Sequence, residues 1–178
     1  PTGGITFKES IMGQNSRQTY GLTASTVNSG LTKGTTSTYT TTASTAGVVN
    51  GKWATPITAQ TNTATPTTDA VTGAAFLPLA VNKATVIVFG QTAAGAIQMA
   101  QGSIEDTQTG VTTTAGSFIR APQFPSLPDD FLPLAYLLVR TAPSASAWTP
   151  GTSSWTATGV TASTVQNIST LPDRPQTA

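Results

Sequence analysis

Threonine is the commonest residue of this chain, 37 of 178, and it narrows the folds open to it. Its branched Cβ stiffens χ1, lowers helix propensity and suits the pleated, half-buried surface of a strand. Gly (16 residues) and Pro (12) punctuate the sequence, so it reads as short β-strands joined by turns. The rest of the composition argues against disorder. Hydrophobic residues make up 38% and the formal net charge is +1, the reverse of a disordered chain's low hydrophobicity and high charge. A chain of this length removes roughly 70% of its unfolded surface from water, enough for one domain with a real core.

Polarity is carried by hydroxyls. Only 8% of residues are charged, against ~25% in an average protein. Such a surface has little charge repulsion and tolerates close packing against other proteins, which points to a component of an assembly. With no His and no Cys there is no imidazole base, no thiolate nucleophile and no Cys/His zinc or iron–sulfur site. A net charge of +1 is too small to coat a nucleic-acid backbone. No run approaches the ~18–20 apolar residues that span a bilayer. The chemistry read from composition is therefore non-enzymatic, with no cofactor, metal, nucleic-acid or membrane partner.

The opening residues contain no apolar stretch of signal-peptide type, and Pro1 suits removal of an initiator Met, the alternative being a mature chain after cleavage or a fragment. On the first view synthesis in a cytoplasm is expected, although the Thr/Ser-rich, Cys-free surface is of the kind found on extracellular adhesins and fibres. A particle assembled inside a cell and released by lysis reconciles the two. The sequon Asn167-Ile168-Ser169 is what chance allows in so Ser/Thr-rich a chain.

Residues 1–35 carry scattered apolar side chains (Ile5, Phe7, Ile11, Met12, Tyr20, Leu22, Val27, Leu31), too sparse to close a core alone, and read as an extended N-terminal arm that runs over the domain or over a neighbour, with a floppy tail as the alternative. Residues 36–178 read as a single β-domain. Within it, Val48-Val49-Asn50-Gly51-Lys52-Trp53 is the clearest local signal. Asn-Gly between apolar runs specifies a two-residue type I′ hairpin, pairing Val49 with Lys52 and Val48 with Trp53. Residues 55–68, with Pro56 and Pro66, read as an edge strand and loop. Residues 69–80 form the one candidate helical turn, with Asp69 as N-cap and Pro78 limiting its length.

Residues 84–90 and 134–140 are apolar at consecutive positions and read as central strands buried on both faces. Residues 96–101 alternate, with Ile97 and Met99 inward, and close a hairpin around Thr92-Ala93-Ala94-Gly95. Residues 118–121 read as a short strand, and the tail as Trp148 and Trp155 around a Gly/Ser turn before a Thr-alternating strand. The expected fold is an all-β, antiparallel β-sandwich or jelly-roll-like barrel.

Catalytic constellations are poor. Glu105/Asp106 and Asp129/Asp130 are the only carboxylate doublets, and neighbours on a strand point to opposite faces, so neither makes a glycosidase pair by itself. After Pro128, Asp129-Asp130 suits a turn. The Gly47-to-Lys52 spacing is one residue short of a phosphate loop and lacks its Ser/Thr. Trp53, Trp148 and Trp155, with Tyr20 and Tyr39, suit core or interface anchors, or a platform for sugar rings.

One resemblance goes further than composition. A two-face strand at residues 86–89 is followed by a return through Ile97-Gln98-Met99-Ala100-Gln101-Gly102. Then come Ala121-Pro122-Gln123-Phe124-Pro125, Leu127-Pro128-Asp129-Asp130 and Pro133-Leu134-Ala135-Tyr136-Leu137-Leu138-Val139-Arg140. This order resembles small virion proteins of tailed bacteriophages, over about two fifths of the chain. The resemblance implies a capsid decoration (cement) or head-fibre protein, a homotrimer bound to the major capsid protein, assembled in the bacterial host cytoplasm and carried on the virion. The alternative is a tail or head fibre module that binds host-surface glycan. The absence of repeats and long coiled coils favours the compact decoration role. On this reading the interface residues are Ile5, Phe7, Ile11, Tyr20, Leu22, Trp148 and Trp155.

Overall fold

The computed structural model describes residues 22–172 and residue 175. At its centre β7 (Lys83–Gln91) and β10 (Leu132–Thr141) run antiparallel, pairing Val86 with Leu138, Ile87 with Leu137, Val88 with Tyr136 and Phe89 with Ala135. Side chains alternate across a pleat, so each strand feeds two cores. Ile87, Phe89, Ala135, Leu137 and Val139 enter one apolar cluster. Val86, Val88, Tyr136 and Leu138 enter the other. The two consecutive apolar runs are thus central strands buried on both faces, as expected.

β8 (Ile97–Gln101) returns along β7 through the expected hairpin, with Gly95 at φ 88°. β9 (Glu105–Asp106) pairs with the start of β7. On the other side, β11 (Val160–Ala162) and β12 (Gln166–Asn167) pair with separate parts of β10. The register breaks between Pro133 and Ala135, where a proline without an N–H cannot continue the ladder.

Two small sheets complete the packing. β2 (Thr32–Lys33), β3 (Thr38–Thr40) and β6 (Thr63–Ala64) form one, which brings Leu31 and Tyr39 onto the first core beside Trp148 and Trp155. β1 (Ala24–Ser25), β4 (Gly47–Val49) and β5 (Lys52–Trp53) form the other, with Val49 packed on Leu132 and Leu134. The second core is closed mostly by chain outside strands: Phe118, Phe124, Leu127 and Leu171. The protein is all-β with antiparallel sheets and, among the described residues, no helix. Among the described residues no sheet closes on itself, so the barrel form of the expectation is not met.

Hydroxyls build much of what strands do not. Thr41 gives its N–H to the Gln60 carbonyl, and its Oγ1 accepts the Gln60 N–H, both at 2.9 Å. Thr45 does the same with Ile57, again at 2.9 Å for both bonds. Side-chain oxygens here replace main-chain carbonyls, so an irregular segment stays satisfied without a full ladder. The buried Thr141 hydroxyl donates to Ala80 O at 2.6 Å and accepts the Lys83 N–H at 3.0 Å, joining the loop before β7 to the end of β10.

Three expectations are corrected. Residues 1–21 lie outside the described residues, but residues 22–35 run over the domain and join its sheets and core, so the domain does not begin after residue 35. Leu31 is in the core, the Asn167 side chain accepts its N–H at 2.7 Å and donates to its carbonyl at 3.0 Å, and Ser25 N–H reaches Ser169 O at 2.8 Å. A large apolar side chain that fills the space over Tyr39 and Phe89 belongs to the domain. The helical turn at Asp69 stops after one turn. Asp69 does cap it, accepting from Val71 N at 3.2 Å, and Gly73 N–H closes on Asp69 O at 2.8 Å. Gly73 then takes φ 69° and Ala75 bridges back to Thr68, so the helix cannot propagate. Residues 118–121 make a single bridge, Phe118 to Thr107, and no strand.

Candidate functional site

Among the described residues, Asp69, Asp106 and Asp130 use their carboxylates in structural bonds. Asp106 is ion-paired to Lys83 at 2.6 Å, across the β7–β9 pairing. Asp130 accepts the Ala93 N–H at 2.7 Å, pinning the β7–β8 turn, and Asp129 lends its carbonyl to Asn50 Nδ2 at 3.0 Å. The Asp129-Asp130 doublet is a turn, as its position after Pro128 suggests. Among the described residues no three of His, Cys, Asp and Glu gather as metal ligands. The sequon asparagine is held by its two bonds to Leu31.

The expected interface tryptophans are elsewhere. Trp148 is 1% exposed and Trp155 2%, with ring centroids 5.3 Å apart. Trp148 gives its indole N–H to Ser154 O at 2.9 Å and Trp155 to Thr38 O at 3.1 Å. Both are core residues with polar ends satisfied inside the chain, so neither presents surface to a partner. Of the other expected interface residues, Ile5, Phe7, Ile11 and Tyr20 lie outside the described residues, while Leu22 is 56% exposed.

Trp53, by contrast, is 73% exposed. Its position follows from the local sequence. Asn50 at φ 49° and Gly51 at φ 77° make the hairpin turn, and the register is as expected: Val49 opposite Lys52, Val48 opposite Trp53. Val49 faces the core, so its neighbour Val48 and the partner Trp53 face outward. Ala24 lies opposite Val48 on the other side, extending the same outer row. Leu22 adjoins this row: its carbonyl accepts the Gly51 N–H at 2.9 Å. Leu22, Ala24, Val48 and Trp53 thus form an apolar outer surface on a small sheet whose inner face is core.

This surface is rigidly held. Asn50 N–H reaches Thr23 Oγ1 at 3.1 Å, Thr55 N–H reaches Ala93 O at 2.8 Å, and Gln91 Nε2 reaches Thr55 O at 3.3 Å. With the Asn50–Asp129 bond, the hairpin is tied to three neighbouring segments. A partner docking there has little backbone freedom to freeze, which lowers the cost of binding. Lys52 on the short edge strand guards against edge-to-edge pairing. The Asn-Gly turn makes the hairpin legible in sequence. The exposure of Trp53 follows only from knowing which face of β4 meets β10.

No family model matches the chain, and neither a curated protein nor a solved structure is detectably similar to it.

Proposed function

We propose that this chain is a non-enzymatic structural protein of a tailed-bacteriophage virion, which binds the capsid surface and stabilises or decorates the shell. The observation that carries the reading is the outer row ending in Trp53, 73% exposed on a pinned hairpin, in a chain only 8% charged. The order of strands and prolines in residues 86–140, with its resemblance to small phage virion proteins, supplies the partner: the major capsid protein. Burying a Trp covers ~150–250 Å², worth about 4 kcal/mol at ~25 cal/mol per Å² before the costs of association. Repeated over a symmetric shell, modest contacts add up to avidity, and a ligand that binds only the assembled lattice stabilises it by linkage.

Residues 1–21 are joined to this surface at Leu22, and their apolar residues Ile5, Phe7, Ile11 and Tyr20 remain part of the proposed interface. The proposal includes a homotrimer, assembled in the host cytoplasm with the particle. Mixing the purified protein with undecorated capsids and imaging the particles tests it: saturating, lattice-registered density is expected, and bare shells at saturating protein would refute it.

A second reading, a fibre module binding host-surface glycan, draws on the same exposed indole, which suits stacking against a sugar ring. Trp148 and Trp155 are buried, so a fluorescence change on adding surface polysaccharide would report Trp53 and favour this reading.

A further inference from the structure

On the side of the central sheet that carries the second core, Phe118, Leu138, Arg140 and residues 161–164 line a cleft of about 360 Å³. That falls in the ~300–1,000 Å³ range of small-molecule sites. Arg140 projects from β10 beside Thr161, its partner in β11. Its guanidinium lies 5.0 Å from the centre of the Phe118 ring and donates one N–H to Gly116 O at 2.9 Å. The ring and the carbonyl fix the plane of the fork, so its direction is set before any ligand arrives.

Among the described residues no carboxylate lines the cleft, and the one ion pair is Lys83 with Asp106. Arg140 is therefore, among the described residues, a half-buried cation with no anion beside it, in a chain with only 8 Lys and Arg. Its surroundings divide into an apolar floor, Leu138 and Phe118, and a hydroxyl rim, where Thr161 and Thr164 are exposed. Ser163 is committed to structure, accepting the Leu138 N–H and donating to Thr164 O, both at 3.0 Å.

We infer that this cleft binds the carboxylate of an acidic sugar. A carboxylate pairs with the remaining N–H groups of the guanidinium, the ring's apolar side rests against Phe118, and its hydroxyls meet Thr161 and Thr164. A single ring-sized cleft with one cation suits one acidic monosaccharide better than an extended acidic peptide. The site is separate from the Trp53 surface, so its failure would leave capsid docking standing, and the reverse.

The test is a titration of isotope-labelled protein followed by amide chemical shifts, with free glucuronate, glucose, a glucuronate-containing polysaccharide and a glutamate-rich peptide as probes. Glucuronate should give saturable shifts at residues 116–118, 138–140 and 161–164, weakened by added salt, and glucose should give none. The polysaccharide, binding where the free sugar does, would identify a glycan source; glucuronate binding without it would identify the free sugar acid. Arg140→Gln should weaken glucuronate at least tenfold. In case that variant loses its fold, Thr161→Trp fills the cleft from an exposed position without touching Arg140's own bonds, and should also abolish the shifts. Absence of saturable shifts, an equal response to glucose, an equal or stronger response to the peptide, or unchanged binding in folded Arg140→Gln would each overturn the assignment.

Discussion

The indole of Trp155 donates to the main-chain oxygen of Thr38 at 3.1 Å, 117 positions earlier in the chain. That bond joins the tail to β3, and the Trp155 ring lies 6.2 Å from Phe89 in the central sheet. Three segments distant in sequence meet at one side chain. Trp155→Phe keeps an aromatic ring but removes the donor and leaves a void. It should destabilise the protein by about 2–4 kcal/mol in urea unfolding. Capsid binding by the folded fraction should be unchanged, because the residue has no surface to offer.

Thr141→Val has nearly the same shape but removes the hydroxyl shared by Ala80 and Lys83. Two main-chain groups would lose their partner in a partly buried place, at about 1–3 kcal/mol. The same exchange at exposed Thr161 should move the unfolding midpoint little, so the pair separates hydroxyls that hold the fold from hydroxyls that wet it.

Asn167→Ala removes both bonds that bracket Leu31. A loss of about 1–3 kcal/mol is expected, together with faster amide exchange across residues 23–33. An unchanged exchange rate there would mean that the segment is held by Leu31's burial and its strand pairings rather than by Asn167.

Burial raises the pKa of Tyr39 above its ordinary 10.0. The folded state thus holds the phenolic proton more tightly than the unfolded chain. The stability this confers is fully present below pH 10 and is lost as pH rises through the higher folded value. Tyr39→Phe should flatten the alkaline limb of a stability–pH curve; an identical limb would place its origin elsewhere.

What sequence could foretell divides along physical lines. The Asn50-Gly51 turn, the β7–β8 hairpin and the two-face strands were legible because each depends on local conformation or on consecutive apolar positions. Leu31 was misassigned to an arm because its partners, Tyr39 and Phe89, are distant in sequence. Trp148 and Trp155, expected at an interface, are core residues for the same reason. Which of the three tryptophans faces solvent depends on how the small sheets sit on the large one, and no local pattern encodes that. Thr-rich segments looked like strands by propensity, yet several hold their place through hydroxyls that replace ladder bonds.

The central claim is that the Trp53 surface docks on a capsid. Its most direct measurement is the occupancy of undecorated shells as a function of protein concentration, for wild type and Trp53→Ala. An exposed side chain should leave the unfolding midpoint close to wild type, while half-saturation should move at least tenfold higher, as expected of an interface anchor. Equal saturation curves for the two proteins, or no binding by either, would contradict the account.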